Sequence, residues 1–569
     1  MYGKDKNIKK VWESVLSVHA NDIAVHYGEK SYTYKELDEK SWYVANYLNQ
    51  NISKNMVGVR MESSFDYVCT VLGILKSGKC FVPLDVNWPK DRTLSVWENC
   101  DIECVIESCS DCFWGTSIIE SIYEIKEFGY SGEWKKGSSA YVLHSSGTTG
   151  RPKGIEIEVE SLINLVEWFN EVFLEKDIGN IIQLAKISFD VSVEEIFGTI
   201  LNGKTLFIPN PLIKYHKTKL RRYIVEHNIN LIELVPATLK EFLDEEEKIG
   251  CLKTVICGAD VLHEELKNSI IKIGYDLYNN YGPTETTVDA MYYRCSLEEP
   301  VQLGKCITGC HYVIIDENGN KVKKSGMGEI WFAGINLAKG YINGDETDQN
   351  RFQVYERERF YKTGDWVKVD DDGRIFYCGR IDNQVKIRGQ RIELEEIEKI
   401  FSEEMKVKLC AAICKKEEQE RIILFYESHQ EYEYKTILKR LKKRLPDYMI
   451  PSSIQYMKRL PSTDNGKVDR NVLLEYNIDQ DEICFEEEYD ETTRKIIDIM
   501  CIILKRQGEA FDLGCTFEQL GFDSLSFVRF LVEIESYWDV ELEDEILMLN
   551  NELAAYDLIK KIKSNILGD

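Results

Sequence analysis

The sequence lacks the features that mark membrane-spanning and secreted proteins. No apolar run approaches the roughly 18 residues of a membrane-spanning helix. Residues 1–6 lead into no apolar segment of the kind that a signal peptide contains. The 17 cysteines are an odd number scattered along 569 residues, which favours reduced thiols over a disulfide framework. We therefore expect a cytoplasmic protein with no membrane partner.

Positive charge is also scarce. The formal net charge is −26, whereas nucleic acids and anionic membranes are bound by basic surfaces. We therefore expect no nucleic-acid partner. A small anionic ligand stays possible, because a few local cations are enough to bind a phosphate group.

The length and the hydrophobic pattern predict several domains. A chain of 569 residues exceeds what one hydrophobic core usually fills. From residue 22 to about 380, short β-rich runs alternate with helical patterns, which is typical of α/β layers with mostly parallel strands. A smaller α+β segment should follow from about 382 to 476. An acidic stretch at 479–491 has the composition of a solvated linker, and the remaining segment has helical patterns.

A loop rich in small and hydroxyl residues is the most informative feature that is present. Residues 144–154 read HSSGTTGRPKG and follow the apolar run 140–143, so a strand should lead into the loop. Small residues let the backbone turn its N–H groups toward an anion, and Lys153 adds positive charge. No helical pattern directly follows this lysine, so the loop differs from the GxxxxGK(S/T) P-loop. A flexible surface loop could have the same composition, so phosphate binding depends on further motifs.

Further motifs follow in a fixed order. They are 279–285 (NNYGPTE), 361–365 (YKTGD), 379–382 (GRID) and 465–470 (NGKVDR). Together with the loop, they resemble the adenylate-forming superfamily. Residues 75–85 (LKSGKCFVPLD) and 384–394 (QVKIRGQRIEL) narrow the resemblance to the adenylation domains of nonribosomal peptide synthetases. This resemblance runs from about residue 31 to 470.

The C-terminal segment resembles a peptidyl carrier protein. Residues 520–525 read LGFDSL, between two helical patterns with apolar faces. The resemblance implies that Ser524 receives a phosphopantetheine arm. Many carrier loops read GGDSL, whereas this chain has Phe522, which leaves the preference of the modifying transferase open. A serine after an aspartate could also simply cap a helix.

These resemblances imply a multidomain architecture. We predict a large α/β adenylation core at 1–381 and a small α+β C-terminal subdomain at 382–478. An all-α, four-helix carrier (thiolation) domain should occupy 488–569. The resemblance places a hinge at Asp382, about which the C-terminal subdomain rotates between adenylation and transfer to the carrier thiol.

Adenylation joins a carboxylate to the α-phosphorus of ATP with loss of pyrophosphate. Two anions must approach each other, so the site needs cations, a metal ion and fixed geometry. The resemblance implies that Thr284 contacts the α-phosphate and that Glu285 binds Mg²⁺, a hard cation that prefers oxygen ligands. It implies that the β- and γ-phosphates are held by the loop residues Ser145, Ser146, Gly147, Thr148, Thr149, Gly150 and Lys153.

The resemblance also assigns the nucleoside contacts and a catalytic lysine. Tyr281 would stack on adenine, Asn279 would face its edge, and Asp365 with Arg380 would fix the ribose hydroxyls. Lys467 would bridge the substrate carboxylate and the α-phosphate. An exposed lysine on a turn is the plain alternative for Lys467. The chain has His144–Ser145 where Tyr–Thr is more usual and Glu395 where Gly is usual, and neither departure touches a charged catalytic position.

The substrate pocket distinguishes this chain from its relatives. Asp190 would bind the α-ammonium group of an amino acid, which argues against a fatty or aryl acid. Three further carboxylates, Glu194, Glu233 and Asp289, fall at positions that match the pocket lining. The matching positions in full are Asp190, Val191, Glu194, Glu233, Val255, Cys257, Asn280, Val288 and Asp289.

Glu233 lies in the apolar run 231–235, which predicts a buried strand. A buried carboxylate is costly unless a cation accompanies it, so we interpret the acids as partners of a cationic substrate side chain. Each acid could instead have a purely structural role. Residues 192–195 form a capping-box pattern that would occupy Glu194 at a helix N-terminus. Asp289 could cap a turn, and Glu233 could pair with an internal lysine.

The sequence therefore predicts a ligase that activates an amino acid as aminoacyl-AMP and loads it onto its own carrier, in nonribosomal peptide biosynthesis. Ornithine or lysine fits best, followed by diaminobutyrate or arginine. The implied cofactors are ATP, Mg²⁺ and phosphopantetheine. The implied partners are a phosphopantetheinyl transferase and a downstream condensation or tailoring enzyme that acts on the loaded carrier. The alternative is a ligase that delivers acyl groups to free coenzyme A or to a separate carrier protein.

Overall fold

The computed structural model describes most of the chain. The residues described are 7–108, 116–118, 131–147, 152–174, 178–243, 247–344, 346–382, 384–387, 389–416, 420–462, 468–476, 490–504, 513–517, 520, 522, 524–538, 540, 542 and 554–567. They form two compact units. One comprises 1–208 with 227–470, and the other comprises 209–226 with 471–569. The domain boundaries at 382, 478 and 488 stay predictions.

Two mostly parallel sheets form the larger part of the first unit. In spatial order, the nine-stranded sheet contains Lys305–Cys306, Met291–Arg294, Asp276–Tyr281, Thr254–Cys257, Leu231–Leu234, Asn180–Ile182, Thr205–Ile208, Ile23–Tyr27 and Lys30–Thr33. The seven-stranded sheet contains Gly340–Ile342, Lys153–Glu158, Ser139–Ser145, Cys80–Pro83, Met56–Arg60, Cys104–Glu107 and Thr116–Ile118. Antiparallel pairs are confined to the ends of both sheets.

Helices cover these sheets, as the alternating pattern predicts. Those of the first unit are Ile8–His19, Tyr34–Asn51, Phe65–Lys76, Lys90–Asn99, Val159–Phe173, Val191–Ile200, Pro236–Leu243, Glu264–Ile273, Glu346–Gln349, Leu394–Met405 and Tyr434–Leu441, with the 3₁₀ turns Thr284–Thr286 and Asp447–Met449. The short helix Arg470–Glu475 begins at the last residue of this unit, and its other residues belong to the second unit. The helix Phe65–Lys76 is buried on every side, which explains its nearly continuous apolar sequence. The predicted α/β core is confirmed.

Three smaller sheets complete the first unit. An antiparallel sheet contains Cys310–Ile315, Gly326–Gly334, Glu358–Val369, Phe352–Tyr355 and Ile375–Arg380. Its residues Phe332 and Tyr361 share one hydrophobic core with Val25 and Val57 of the two large sheets. The C-terminal part contains the hairpin Gln384–Ile387 and Gln390–Glu393 and the sheet Leu409–Lys416, Glu420–Glu427 and Ser453–Met457. Strands and helices thus mix there, as the predicted α+β subdomain requires.

The second unit is helical. Its described helices are Pro211–Tyr215, Lys217–Glu226, Glu491–Leu504, Ser524–Trp538 and Ala555–Leu567. Buried apolar residues of the last three helices pack into one core, among them Ile496, Phe530 and Leu558. His216 and Glu535 lie 2.7 Å apart between the first helical pair and Ser524–Trp538. No helix in the described part of the chain has both the length and the apolar composition needed to cross a bilayer.

Candidate active site

The predicted substrate residues gather at one edge of the nine-stranded sheet. The strands Leu231–Leu234, Thr254–Cys257 and Asp276–Tyr281 are parallel neighbours, so their carboxyl ends meet at this edge. Glu233 lies near the end of the first strand and Asn280 near the end of the third. Ligands of α/β proteins commonly bind outside the carboxyl ends of such strands, so the topology supplies a pocket here.

A strained turn follows the third of these strands. Thr287 and Val288 have φ angles of +58° and +67°, a left-handed conformation that β-branched residues rarely adopt. Asn336 holds the turn, because its side-chain amide donates to a backbone carbonyl of the turn at 3.0 Å. Its own backbone carbonyl accepts from the Thr287 hydroxyl at 2.7 Å. Glu285 and Asp289 lie buried on either side of this turn.

Asp190 connects the predicted ammonium site with the predicted α-phosphate site. Its carboxylate caps the helix Val191–Ile200 by accepting from the Val191 N–H at 3.0 Å. It also accepts from the Thr284 hydroxyl at 2.5 Å. The capping box at 192–195 is therefore not formed, since Ser192 instead donates its hydroxyl to the Phe189 carbonyl at 2.6 Å.

Glu194, Glu233 and Asp289 form a buried acid cluster. Glu194 is fully buried, and its carboxyl forms a hydrogen bond with that of Asp289 when one of the two is protonated. Asp289 accepts from the Asn280 amide at 2.6 Å. Within the described part of the chain, none of the three acids forms an ion pair with lysine or arginine. The described residues therefore supply no counter-ion to this cluster.

Burial and mutual repulsion raise the pKa values of the acids in this cluster. Burial, followed by repulsion from Asp289, raises the pKa of Glu233 well above its ordinary value. Burial and the same neighbour raise the pKa of Glu194. Burial raises the pKa of Asp289 to about 7. Each carboxyl therefore holds a proton more tightly than in water, because its ionised form lacks a cation.

Strand geometry corrects two of the predicted pocket residues. Laterally paired residues of a sheet point to the same face, and successive residues of one strand alternate. Glu233 pairs with Ile256, which pairs with Tyr278, so Asn280 shares their face. Val255 and Cys257 therefore point to the opposite face.

Ile256 and Gly258 occupy the positions that were assigned to Val255 and Cys257. Ile256 packs in one cluster with Val288, and a side chain at Gly258 would first meet Asn280, at 3.3 Å. Each of the two predicted residues thus lies one position before the residue that shares the face of Glu233. The period-two alternation across this short strand is the signal that could have revealed it.

The described triphosphate-loop residues lie at the end of the seven-stranded sheet. Ser145 ends the strand Ser139–Ser145, and its buried hydroxyl meets no described partner. Lys153 begins the next strand, as expected for a loop that a helix does not directly follow. Its ammonium lies 3.1 Å from Asp348 and 5.1 Å from the centre of the Tyr341 ring. Thr148, Thr149 and Gly150 lie outside the described residues.

The predicted nucleoside residues form a connected group. The Tyr281 hydroxyl donates to Asp365 at 2.5 Å, and Arg380 donates to the other oxygen of Asp365 at 2.8 Å. The Asn279 amide donates to the Gln302 carbonyl at 2.9 Å. These bonds fix the orientation of the side chains, whereas their contacts with ATP stay predictions.

Asp382 ties this group to the start of the C-terminal segment. Its carboxylate accepts from Arg380 at 2.6 and 2.8 Å and from Arg351 at 2.8 Å. Although burial opposes it, these two guanidinium groups lower the pKa of Asp382. The predicted hinge residue is thus held by two ion pairs on the core side.

Glu285 has the properties of a metal ligand. It is fully buried, and, although burial opposes ionisation, Arg391 and Lys153 lower its pKa to about 2. The described residues contain no cluster of three or more His, Cys, Asp or Glu side chains suited to a metal. A single ionised carboxylate is nevertheless what Mg²⁺ needs when substrate phosphates and water complete its octahedral shell. The residues present therefore fit Mg²⁺ held mainly by the nucleotide.

Sequence reasoning missed several groups that touch this site. The Tyr341 hydroxyl donates to Glu285 at 2.6 Å, and Asp348 pairs with Lys153. Arg391, Glu393 and Glu396 approach from the C-terminal segment. The motif at 384–394 already contained two of these residues, but no sequence signal paired them with partners more than a hundred positions away.

Comparison with known proteins shows the family of this chain. The family model described as AMP-binding enzyme matches residues 12–342, and the model described as phosphopantetheine attachment site matches residues 494–556. Zwittermicin A synthase ZmaJ of Bacillus cereus is 33% identical over 494 residues, which cover 82% of this chain and 94% of that protein. Surfactin synthase subunit 1 of Bacillus subtilis (strain 168) is 31% identical over 568 residues, which cover 95% of this chain but 15% of that protein.

A solved structure has the same fold over nearly the whole length. It is holo-PA1221, described as an NRPS protein containing adenylation and PCP domains bound to a vinylsulfonamide inhibitor. The TM-score is 0.77 at 22% identity, covering 98% of this chain and 96% of that chain. The chain belongs to the AMP-binding enzyme family: it is an amino acid-adenylating ligase of the nonribosomal peptide synthetase type, which uses ATP and Mg²⁺ and carries a phosphopantetheine attachment site in a C-terminal carrier domain.

Proposed function

We propose that this ligase activates a basic amino acid, ornithine or lysine in preference to diaminobutyrate or arginine, and loads it onto its own carrier domain. The observation that carries the proposal is the buried acid cluster of Glu194, Glu233 and Asp289. Buried carboxylates without a counter-ion destabilise a fold. A substrate ammonium group would supply the missing charge, and Asp190 remains for the α-ammonium group.

The neighbouring residues support a long substrate side chain. Gly258 presents no side chain to the face that Glu233 and Asn280 share. Ile256 and Val288 supply an apolar wall, which suits the methylene groups of ornithine or lysine. We propose that the aliphatic part packs on this wall and that the terminal ammonium meets the acids.

Replacing Glu233 by glutamine should strongly weaken use of the cationic substrate. Truncating one partner of a buried charge pair costs about 2–5 kcal/mol, which corresponds to roughly 30-fold to several thousand-fold in kcat/KM. The measurement is amino-acid-dependent ATP–pyrophosphate exchange with ornithine and lysine. The matched control is Glu226→Gln, which removes one negative charge from an exposed helix end.

The same variant separates this proposal from a purely structural role for Glu233. Norvaline, which lacks the terminal ammonium group, should lose little or nothing with Glu233→Gln. An equal loss for norvaline and ornithine, in a variant that melts at the wild-type temperature, would mean that Glu233 has no interaction specific to the terminal ammonium group.

Binding of the basic amino acid should release protons near neutral pH. Burial raises the pKa values of the three acids, that of Asp289 to about 7, so the free site retains protons there. A bound ammonium favours the ionised carboxylates and lowers those pKa values. Affinity for ornithine should therefore increase as the pH rises from about 6 to 8.

Calorimetric titrations in two buffers of different ionisation enthalpy measure this release directly. We expect about one proton released per ornithine at pH 7 in the wild type, and fewer in Asp289→Asn. Affinity that is independent of pH, with no buffer dependence of the heat, would argue against a charged pocket.

Replacing Asp382 by proline should impair transfer to the carrier far more than adenylation. Proline restricts the backbone at the predicted hinge, and only the second step requires the rotation. Asp382→Asn keeps the backbone free while weakening the ion pairs with Arg351 and Arg380. The measurements are ATP–pyrophosphate exchange and covalent loading of the carrier. Equal loss of both steps in Asp382→Pro, or the same defect in Asp382→Asn, would remove the hinge assignment.

A further inference from the structure

One turn connects the predicted metal ligand with a pocket acid. Glu285 and Asp289 are four positions apart, and both side chains are buried. The carboxylate of Glu285 accepts from the Tyr341 hydroxyl at 2.6 Å. That of Asp289 accepts from the Asn280 amide at 2.6 Å, in the acid cluster. The two carboxylates thus serve different sites, and only residues 286–288 separate them along the chain.

This turn has a conformation that its own residues do not favour. Thr287 and Val288 are both left-handed, although both are β-branched. The turn also folds back onto the end of its strand, so that a side chain at Gly282 would clash with the Val288 carbonyl. Such conformations persist only where surrounding contacts hold them in place. Contacts with another part of the chain must therefore stabilise the turn.

Asn336, which is 50 positions away in sequence from Thr286, provides these contacts. Its side-chain amide donates to the Thr286 carbonyl at 3.0 Å, and the same nitrogen lies 3.5 Å from the Asp289 carbonyl oxygen. Its backbone carbonyl accepts from the Thr287 hydroxyl at 2.7 Å. Because both carbonyls of the turn are acceptors, only the nitrogen of the amide can bond to them. One buried side chain thus reaches the turn from Thr286 to Asp289.

The residues that follow Asn336 hold the other end of the turn. The Ala338 N–H donates to the Glu285 carbonyl at 2.8 Å. Three positions later, Tyr341 donates its hydroxyl to the Glu285 carboxylate. A displacement of Asn336 would therefore change the positions of both the metal ligand and the pocket acid.

We propose that Asn336 is a positioning residue that fixes Glu285 and Asp289 at the same time, so that the affinity for Mg²⁺ and the affinity for the amino acid depend on one turn. Asn336 acts through the backbone of residues 286–289 and not on the reacting atoms. The inference rests on the proposed roles of Glu285 and Asp289, but it holds for whichever amino acid the enzyme activates.

ATP–pyrophosphate exchange by the full-length enzyme, with the amino acid that the wild type uses best, tests this role. Two constants are measured: the KM of the amino acid, and the Mg²⁺ concentration for half-maximal exchange at fixed ATP. Asn336→Ala should raise each about 10-fold or more, as the loss of a group that orients a metal ligand does. A variant that is only less stable contains less active enzyme, which lowers kcat and leaves both constants unchanged.

Substitutions of Thr287 test the same contact with a smaller change. Thr287→Val removes the hydroxyl that donates to Asn336 and should raise both constants roughly five-fold, the usual effect of one lost hydrogen bond. Thr287→Ser keeps the hydroxyl and should stay within about two-fold of the wild type. Asn318→Ala removes an exposed amide from a turn outside the site and should leave both constants unchanged.

Unchanged constants in Asn336→Ala and Thr287→Val, whatever the value of kcat, would overturn the proposal. An increase in only one of the two constants would overturn it as well, because the two sites would then not depend on one turn. If Asn336→Ala does not fold, the difference between Thr287→Val and Thr287→Ser decides, and equal constants in these two variants would contradict the proposal. A wild type that prefers a neutral amino acid would contradict the proposed substrate alone.

Discussion

Replacing Lys467 by alanine should abolish adenylate formation, with a loss of at least about 10²-fold in ATP–pyrophosphate exchange, as for the removal of one preorganised charge-stabilising donor. The sequence places this lysine in an Asn–Gly–Lys turn, where its cation would meet the substrate carboxylate and the α-phosphate. In the described part of the site, Lys153, Arg380 and Arg391 are each paired with a carboxylate. Lys467 itself lies outside the described residues, so its bridging role stays a prediction from the resemblance.

A control variant tests whether the loss of exchange is specific to Lys467. Lys458→Ala removes an exposed lysine from the same C-terminal segment and should leave exchange unchanged. The Lys467 variant should still receive phosphopantetheine at Ser524, because that modification does not use the adenylation site. Near-normal exchange by Lys467→Ala would remove it from catalysis.

Replacing Ser524 by alanine should eliminate covalent loading while leaving ATP–pyrophosphate exchange at the wild-type rate. A phosphopantetheine arm on Ser524 would end in a thiol, which is the nucleophile of the second half-reaction. Ser524 is the first residue of the helix Ser524–Trp538, within the segment that matches the attachment-site family.

Intact mass measurement after treatment with a phosphopantetheinyl transferase checks the assignment. The wild type and Ser526→Ala should gain one phosphopantetheine group, and Ser524→Ala should gain none. An unmodified wild type, with a transferase that modifies a reference carrier in parallel, would contradict the attachment site. Modification of Ser524→Ala would place the arm on another residue.

The sequence was sufficient for the fold class, and it named the three acids that the structure brings together as the buried acid cluster. The strand that carries Glu233 was predicted from its apolar neighbours, and no internal lysine pairs with this acid among the described residues. The absence of a helical pattern after the loop predicted that no helix begins directly at Lys153, and a strand begins there. Such features depend on local patterns, which a sequence displays directly.

The remaining features depend on contacts that no local pattern contains. Ser146 meets Glu393 across 247 positions, and Arg391 meets Glu285 across 106. The prediction of Val255 where the structure places Ile256 has a different cause. The two faces of a four-residue strand are determined only by the strands with which it pairs. The left-handed Val288 was equally unforeseen, since strain of this kind contradicts the propensity of the residue.

The most direct test of the basic-substrate proposal is ATP–pyrophosphate exchange by the wild-type enzyme across a full panel of amino acids. Ornithine or lysine should give the highest kcat/KM, with diaminobutyrate and arginine behind them. The uncharged analogues norvaline, norleucine and glutamine should be poor substrates, because they leave buried carboxylates unpaired. Higher activity with norleucine or glutamine than with every basic amino acid would contradict the charged pocket, while leaving the adenylation chemistry intact.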